Sequence, residues 1–130
     1  MTSYNIIPDD VAQFILDHID SIAQVEALLI LRAHPDKDWD ADRLARRLYI
    51  SDQQTAEVLA RLYRAGFLLA SSGEPPIYRY GPTSNELKQL VDRLADVYST
   101  HLVPVTNLIH SKPKSRVQEF ADAFRLRKDK

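Results

Sequence analysis

Side chains that can contact nucleic acid are concentrated in one stretch of the chain, between residues 43 and 64. Arginine pairs with guanine or with a phosphate, and glutamine pairs bidentately with adenine. The residues of these types in the stretch are Arg43, Arg46, Arg47, Gln53, Gln54, Arg61 and Arg64. They form a binding surface only if the fold turns them to the same side of the molecule.

The same stretch has the pattern of two short helices joined by a tight turn. Leu44, Ala45 and Leu48 lie on one face of the first helix, and Ile50 fills the turn. Ser51 and Gln54 have the spacing of a capping box, which predicts that the second helix begins just after Ser51. Gly66 is predicted to end this second helix. The side chains predicted to face inward are Thr55, Val58, Leu59 and Leu62. The outer face is then formed by Gln53, Gln54, Glu57, Arg61 and Arg64.

A short β-hairpin is predicted after Gly66. The apolar runs FLLAS and IYRY are separated by the turn-forming cluster SGEPP, which together predict a two-stranded wing. Arg79 lies on the second of these strands.

Helices are predicted on both sides of this region. A first helix follows Pro8 and carries Val11, Phe14, Ile15 and Ile19, and a second begins near Asp20 or Ser21 and ends at His34-Pro35. Its inward side is predicted to comprise Ile22, Val25, Leu28, Leu29 and Ala33, with Ile30 and Leu31 widening the stripe. Asp40 is a cap for the helix that ends near Tyr49, and Trp39 is predicted to be a packing residue.

The longest helix is predicted to open with a capping box at Thr83 and Glu86 and to continue toward His110, with a kink or break at Pro104. Lys112-Pro113 interrupts the chain before a last amphipathic helix. The apolar positions of that helix are Val117, Phe120, Ala121 and Phe124.

This order of elements resembles the winged helix-turn-helix domain of bacterial transcriptional regulators, and the whole chain looks like a small regulator of the MarR type. The residues that carry the resemblance are Leu44, Ala45, Leu48, Ile50, Ser51, Leu59, Leu62 and Gly66, followed by the strand from Phe67. It implies a mainly α fold with a small two-stranded β wing and additional N- and C-terminal helices. Residues 1–130 would be one domain, with N-terminal helices in 1–35, the helix-turn-helix and wing in 40–80, and C-terminal helices in 83–126.

By this resemblance the protein is a homodimer that inserts residues 52–65 of each subunit into a DNA major groove. The DNA contacts predicted in residues 51–64 are Ser51, Gln53, Gln54, Glu57, Arg61 and Arg64. Arg43, Arg46 and Arg47 on the preceding helix would contact phosphates, and Arg79 would support the wing. The first helix and residues 105–126 would form the dimer. A small-molecule effector would bind between the winged region and the C-terminal helices.

The long helix gives a separate argument for a partner. Alternating steps of four and three connect Leu87, Val91, Leu94, Tyr98, His101, Val105 and Leu108, and more apolar surface comes from Leu90, Val97, Leu102 and Ile109. One stripe could cover the helix-turn-helix while another meets a second subunit. The alternative is a single broad stripe that is buried within a monomer.

Charge is distributed unevenly along the chain. The formal net charge is only −1, but residues 1–42 hold nine acids and two bases, a net −7, and residues 43–130 hold nine acids and fifteen bases, a net +6. The basic part therefore begins where the helix-turn-helix begins, which is typical of a nucleic-acid-binding face and could also be a scatter of solvated charges.

Two features favour a second function, a winged-helix module that binds a protein partner without DNA. Glu57 places a carboxylate on the recognition helix, where it would repel phosphates unless it pairs with Arg61 four residues on. The wing tip carries Glu74 and no basic residue. Both interpretations stay open at the level of sequence.

Enzymatic, metal-binding and membrane functions find no support in the residues. There is no cysteine, the four histidines are dispersed without a ligand spacing, and three glycines do not form a phosphate loop. No apolar run approaches the roughly 18 residues that span a bilayer, and the N-terminus has no basic n-region. We therefore expect no catalytic residue, cofactor or metal, no membrane partner and a cytoplasmic location.

Overall fold

Six helices and one two-stranded antiparallel sheet make up residues 7–111, the part of the chain that this computed structural model describes. In chain order they are α1 (Asp9–His18), α2 (Ile22–Ala33), α3 (Ala41–Leu48), α4 (Asp52–Arg64), β1 (Leu68–Ala70), β2 (Tyr78–Tyr80), α5 (Asn85–Thr100) and α6 (Leu102–Ser111). The predicted mainly α fold with a small β wing is confirmed.

Side-chain caps set the first residue of four helices. The side chains of Ser21, Asp40, Ser51 and Ser84 each accept a hydrogen bond from the backbone N–H three residues later. Each such cap stabilises a helix by about 1 kcal/mol. The prediction that Thr83 caps α5 is wrong by one residue, because the side chain that accepts the capping bond, from the Leu87 N–H at 3.1 Å, is that of Ser84.

The long C-terminal helix is broken at His101 and not at Pro104. His101 leaves the helical region, with φ −134° and ψ 53°, and its N–H still closes α5 by donating to the Val97 carbonyl. Pro104 lies in the first turn of α6, where a missing backbone N–H leaves no intrahelical bond unmade. The break allows α6 to pack against both α5 and α1.

The apolar stripe of this C-terminal region is mostly absorbed within one chain. Val91, Leu94, Val105 and Leu108 are all buried in the main hydrophobic core. The stripe therefore supplies intramolecular packing, as in the monomer alternative. Leu102 and Val103 at the start of α6 are the members of this region that stay exposed, at 51% and 65%.

The core also includes the inner faces of α1 and α2. Val11, Phe14 and Ile15 of α1 are buried, as predicted, and Phe14 packs edge-on against Phe67 at a ring separation of 5.6 Å. In α2 the fully buried positions include Val25, Leu28 and Leu31. Ala33, the last residue of α2, was predicted to point inward and is exposed.

The wing is a short hairpin with one extra pairing. Leu68, Leu69 and Ala70 of β1 pair with Tyr80, Arg79 and Tyr78 of β2, and Trp39 forms an isolated antiparallel bridge with Tyr78. The α2–α3 loop is therefore tied to the wing by backbone hydrogen bonds.

The predicted last helix and the interruption at residues 112–113 lie outside the described residues. Within residues 7–111, no helix has the length and apolar character needed to cross a membrane.

Candidate nucleic-acid interface

The turn between α3 and α4 is built on an unusual backbone conformation. Tyr49 ends α3 with φ 59° and ψ 39°, in the left-handed region, and its side chain is 92% exposed. A bulky residue adopts this conformation only at a cost in free energy. Ser51 then starts α4 with the predicted capping box, in which the Gln54 N–H donates to Ser51 Oγ at 3.1 Å and the Ser51 N–H donates to Gln54 Oε1 at 3.4 Å.

α4 presents the outer face that the periodicity predicted. Thr55, Val58, Leu59 and Leu62 are buried against the core. The predicted contact residues Ser51, Gln53, Gln54, Glu57, Arg61 and Arg64 are all exposed. The placement of these side chains agrees with the prediction, and their role in binding stays a prediction.

The arginines of residues 7–111 fall into two groups. Five of the eight form an ion pair with a carboxylate: Arg32 with Asp92, Arg46 with Asp42, Arg61 with Asp20, Arg79 with Asp38 and Arg93 with Asp10. The three that lack a carboxylate partner within this part of the chain are Arg43, Arg47 and Arg64. All three lie on α3 or α4, so the uncompensated positive charge of the arginines is on the helix-turn-helix.

Arg61 does not form the ion pair that the sequence suggested. Its predicted partner was Glu57, four residues earlier, but Arg61 Nη1 instead binds Asp20 Oδ2 at 3.1 Å. Asp20 lies in the short α1–α2 connection, so this ion pair joins that connection to α4. Glu57 forms no ion pair with any residue in 7–111, so its carboxylate stays uncompensated on the predicted DNA-facing surface.

Trp39 lies beside two of the arginines that have no carboxylate partner in residues 7–111. The guanidinium carbons of Arg43 and Arg47 lie 5.2 Å and 5.8 Å from its ring centroid, within the range of a cation–π interaction. The preceding residue, Asp38, accepts a hydrogen bond from Arg43 Nη1 on its carbonyl and binds Arg79 with its carboxylate. The prediction of a packing role for Trp39 missed these contacts, although the spacing of four residues between Trp39, Arg43 and Arg47 was a signal of them.

The wing offers little free positive charge. The hydrogen bond that Arg79 donates to the Asp38 carboxylate, together with the negative charge of that group, raises the pKa of Arg79. Glu74 at the tip is exposed, and so are the apolar side chains of Leu69 and Ile77. A wing of this composition contacts a phosphate only if Arg79 exchanges its carboxylate partner.

A cleft of about 480 Å³ lies between α1 and the first half of α5. Its polar lining includes Asp17, Glu86 and the Asp10–Arg93 ion pair, in which the two side chains are 2.7 Å apart. Phe14 and Leu90 supply apolar surface. Among the described residues, no three His, Asp or Glu side chains converge in a way that could hold a metal ion.

Two solved structures have a fold similar to that of this chain. A structure of BpsR from Bordetella bronchiseptica, described as showing the mechanism by which 6-hydroxynicotinic acid regulates its DNA binding, matches with a TM-score of 0.51 and 17% identity over 97% of this chain and 86% of that one. The heme sensor PefR from Streptococcus agalactiae, solved in complex with heme, matches with a TM-score of 0.50 and 18% identity over 90% and 78% of the two chains. Both are regulators of the MarR family. The fold is a MarR-like winged helix.

In this MarR-like winged helix, α3 and α4 are the helix-turn-helix, and β1 and β2 are the wing. At 17–18% identity the likeness applies to the fold. No family model matches the sequence, and no curated protein matches it.

Proposed function

We propose that this chain is a cytoplasmic, homodimeric transcriptional regulator that binds DNA through its winged helix-turn-helix. In the proposed complex, α4 of each subunit lies in the major groove and the protein regulates by occupying a promoter. The observation that carries the proposal is the location of Arg43, Arg47 and Arg64, the three arginines without a carboxylate partner in residues 7–111.

The exposed face of α4 has the side chains that this proposal needs. Gln53 lies in its first turn and can read adenine, whereas Gln54 can do so only if its Oε1 leaves the capping box with Ser51. Arg64 lies in its last turn and can bind a phosphate or guanine. Arg43 and Arg47 on α3 would hold phosphates beside the groove. The three arginines of residues 7–111 that lack a carboxylate partner make six in a dimer, and these six predict a slope of about −5 for log K against log salt concentration.

A homodimer is supported by exposed apolar side chains on α1 and α6. Leu16 is 37% exposed, and Leu102 and Val103 are more than half exposed, on two helices that pack against each other. Burying these side chains against a second copy would remove them from water. Two recognition helices about 34 Å apart would then bind successive turns of one duplex.

An effector would bind in the cleft between α1 and α5. The DNA binding of the BpsR neighbour is regulated by 6-hydroxynicotinic acid, and the PefR neighbour is a heme sensor. In this chain Asp17 and Glu86 make the lining acidic, and Arg93 is already paired with Asp10. We therefore propose a neutral or cationic effector, whose binding would change the packing of α1 on α5 and thus the spacing of the two α4 helices.

Fluorescence anisotropy of the protein with labelled duplexes, including its own upstream region, tests the proposal. We expect binding at about 50 mM salt that weakens roughly a thousandfold at 200 mM salt. Arg64→Glu should abolish this binding, while Lys88→Glu, which makes the same charge change on an exposed position of α5, should leave it nearly unchanged. Equal affinities of the two variants would contradict the assignment of α4.

The second candidate function is a protein-interaction module with the same fold. It is favoured by Glu57 on α4, which pairs with no base of residues 7–111, by the pairing of Arg61 and Arg79 with carboxylates, and by the exposed Leu69 and Ile77 of the wing. Absence of binding to any duplex at 50 mM salt would favour this function over the first.

A further inference from the structure

Trp39 is buried, but two charged side chains of the helix-turn-helix lie against it. Its exposed fraction is 1%, while Arg43 and Arg47, the side chains that lie over its ring, are themselves exposed to solvent. We infer that Trp39 is a positioning residue that holds Arg43 and Arg47 as a clamp for neighbouring phosphates of one DNA strand. This inference rests on the proposed DNA-binding function and deepens it.

The two arginines would repel each other without such a support. They lie four residues apart on α3, where like charges destabilise a helix, and neither has a carboxylate partner in residues 7–111. Their neighbour Arg46 differs, because Asp42 neutralises it at 3.0 Å. The negative face of the indole offsets part of the repulsion and so allows two uncompensated charges to stay together.

A cation–π contact leaves a guanidinium able to bind phosphate. A guanidinium carries five N–H donors, so a contact with the indole and one hydrogen bond still leave donors for a phosphate. A mobile arginine side chain loses conformational entropy when it binds a phosphate. An arginine that already lies against the indole loses less, so its binding costs less free energy. Arg43 is fixed further, because its Nη1 donates to the Asp38 carbonyl at 3.2 Å.

The backbone that carries the indole is fixed to the wing. The backbone N–H of Trp39 donates to the Tyr78 carbonyl at 2.9 Å, and the backbone N–H of Tyr78 donates to the Trp39 carbonyl at 2.7 Å. The ring itself is held by burial, because its Nε1–H has no hydrogen-bond partner in residues 7–111. The adjacent Asp38 carboxylate binds Arg79 on the same strand as Tyr78. The clamp therefore has a fixed position relative to the wing as well as to α3, which sets where a phosphate can lie.

Binding to the duplex identified for the wild-type protein tests the clamp. Arg43→Gln with Arg47→Gln should weaken binding at least tenfold and make the salt slope shallower by about 2 for each subunit. The control is Lys88→Gln, which removes one exposed positive charge from α5, away from the helix-turn-helix, and should change affinity less than twofold. Loss of affinity that is equal in the control and in the double variant overturns the clamp.

A double-mutant cycle separates positioning from simple packing. Trp39→Leu removes the aromatic face and should weaken binding about five- to tenfold, whereas Trp39→Phe, which keeps a weaker one, should recover much of that loss. In the background of Arg43→Gln and Arg47→Gln, Trp39→Leu should have no further effect. An equal effect of Trp39→Leu in both backgrounds refutes the inference, since Trp39 would then act only through packing.

The emission of the indole provides a readout without DNA, since Trp39 is the only tryptophan. We expect Arg43→Gln with Arg47→Gln to change the emission of the folded protein and Arg46→Gln to leave it unchanged. Unchanged emission in the double variant overturns the inference even if Trp39 variants fail to fold. If no duplex binds the wild-type protein, the proposed function fails together with the clamp. If the wild-type protein binds DNA but Trp39→Leu has the same effect in both backgrounds of the double-mutant cycle, the clamp alone is refuted.

Discussion

Replacing Asp20 by asparagine should strengthen DNA binding. Asp20 holds Arg61 of the recognition helix at 3.1 Å, and the two side chains are 53% and 56% exposed. Arg61 must give up this carboxylate before it can contact a phosphate or a base. Asp20→Asn removes the charge, keeps the shape of the side chain and leaves Arg61 available.

The size of the effect follows from the exposure of the pair. An exposed ion pair stabilises the free protein by about 0.2–1 kcal/mol. In the wild-type protein this free energy is lost when Arg61 leaves Asp20 for DNA, and in the variant there is no such loss. A carboxylate about 8 Å from a phosphate in water is repelled by a further 0.5 kcal/mol or so. Together these contributions amount to about 1 kcal/mol, or roughly fivefold tighter binding for each subunit. The salt slope should steepen by about 0.9 for each subunit, because one more phosphate is neutralised.

Anisotropy titrations at several salt concentrations measure both quantities. Asp96→Asn is the matched control, since it removes one exposed carboxylate from α5 and changes net charge equally. Unfolding by urea provides a second check, because Asp20→Asn should lower stability by no more than about 1 kcal/mol. Weaker or unaltered DNA binding by Asp20→Asn would refute the reasoning, and would mean that Asp20 orients Arg61 and does not compete with DNA.

Three further predictions concern stability and are checked by chemical and thermal unfolding. Tyr49→Asn should stabilise the fold by about 1 kcal/mol and raise Tm by about 3–5 °C, because asparagine tolerates φ 59° and the lost tyrosine side chain is almost fully exposed; an unchanged Tm would show that the turn is unstrained. Gly66→Ala should cost about 1–2 kcal/mol, since Gly66 has φ +93° and a Cβ there would lie 2.9 Å from Thr83 Oγ1; a neutral result would contradict this. Burial raises the pKa of Tyr80 to about 12, so the neutral phenol stabilises the fold fully below pH 10 and this contribution is lost between pH 10 and 12. Tyr80→Phe should therefore reduce the alkaline loss, and should be neutral or stabilising at pH 8, because the buried hydroxyl has no hydrogen-bond partner in residues 7–111.

The elements near the helix-turn-helix could be predicted because their signals are local. The capping box of Ser51 and Gln54 and the inward spacing of α4 depend on residues three or four positions apart, and the structure shows both. The end of α4 at Gly66 was equally readable, since glycine adopts positive φ without strain.

The pairing of the arginines could not be predicted in the same way. Asp20 and Arg61 are 41 residues apart, as are Asp38 and Arg79, and no periodicity relates them. Exposed charges have many candidate partners, so the choice depends on the final arrangement of loops. The break at His101 was missed for a different reason. Proline disrupts the interior of a helix but is well tolerated in its first turn, so Pro104 indicates a nearby helix boundary without showing on which residue it falls.

The contact between α1 and α6 ties an early part of the chain to a late one. Phe14 and Ile15 of α1 belong to the same core as Leu108 and Ile109 of α6, which are more than 90 residues further along. Ribosomes add about 5–20 residues each second, so this face of α1 waits roughly 5–20 s for its last partners to be synthesised. During that time the helix-turn-helix and wing emerge complete, while the apolar face of α1 lacks part of its cover. The nascent chain is therefore most exposed to misassociation at its first helix until α6, the last element of residues 7–111, covers it.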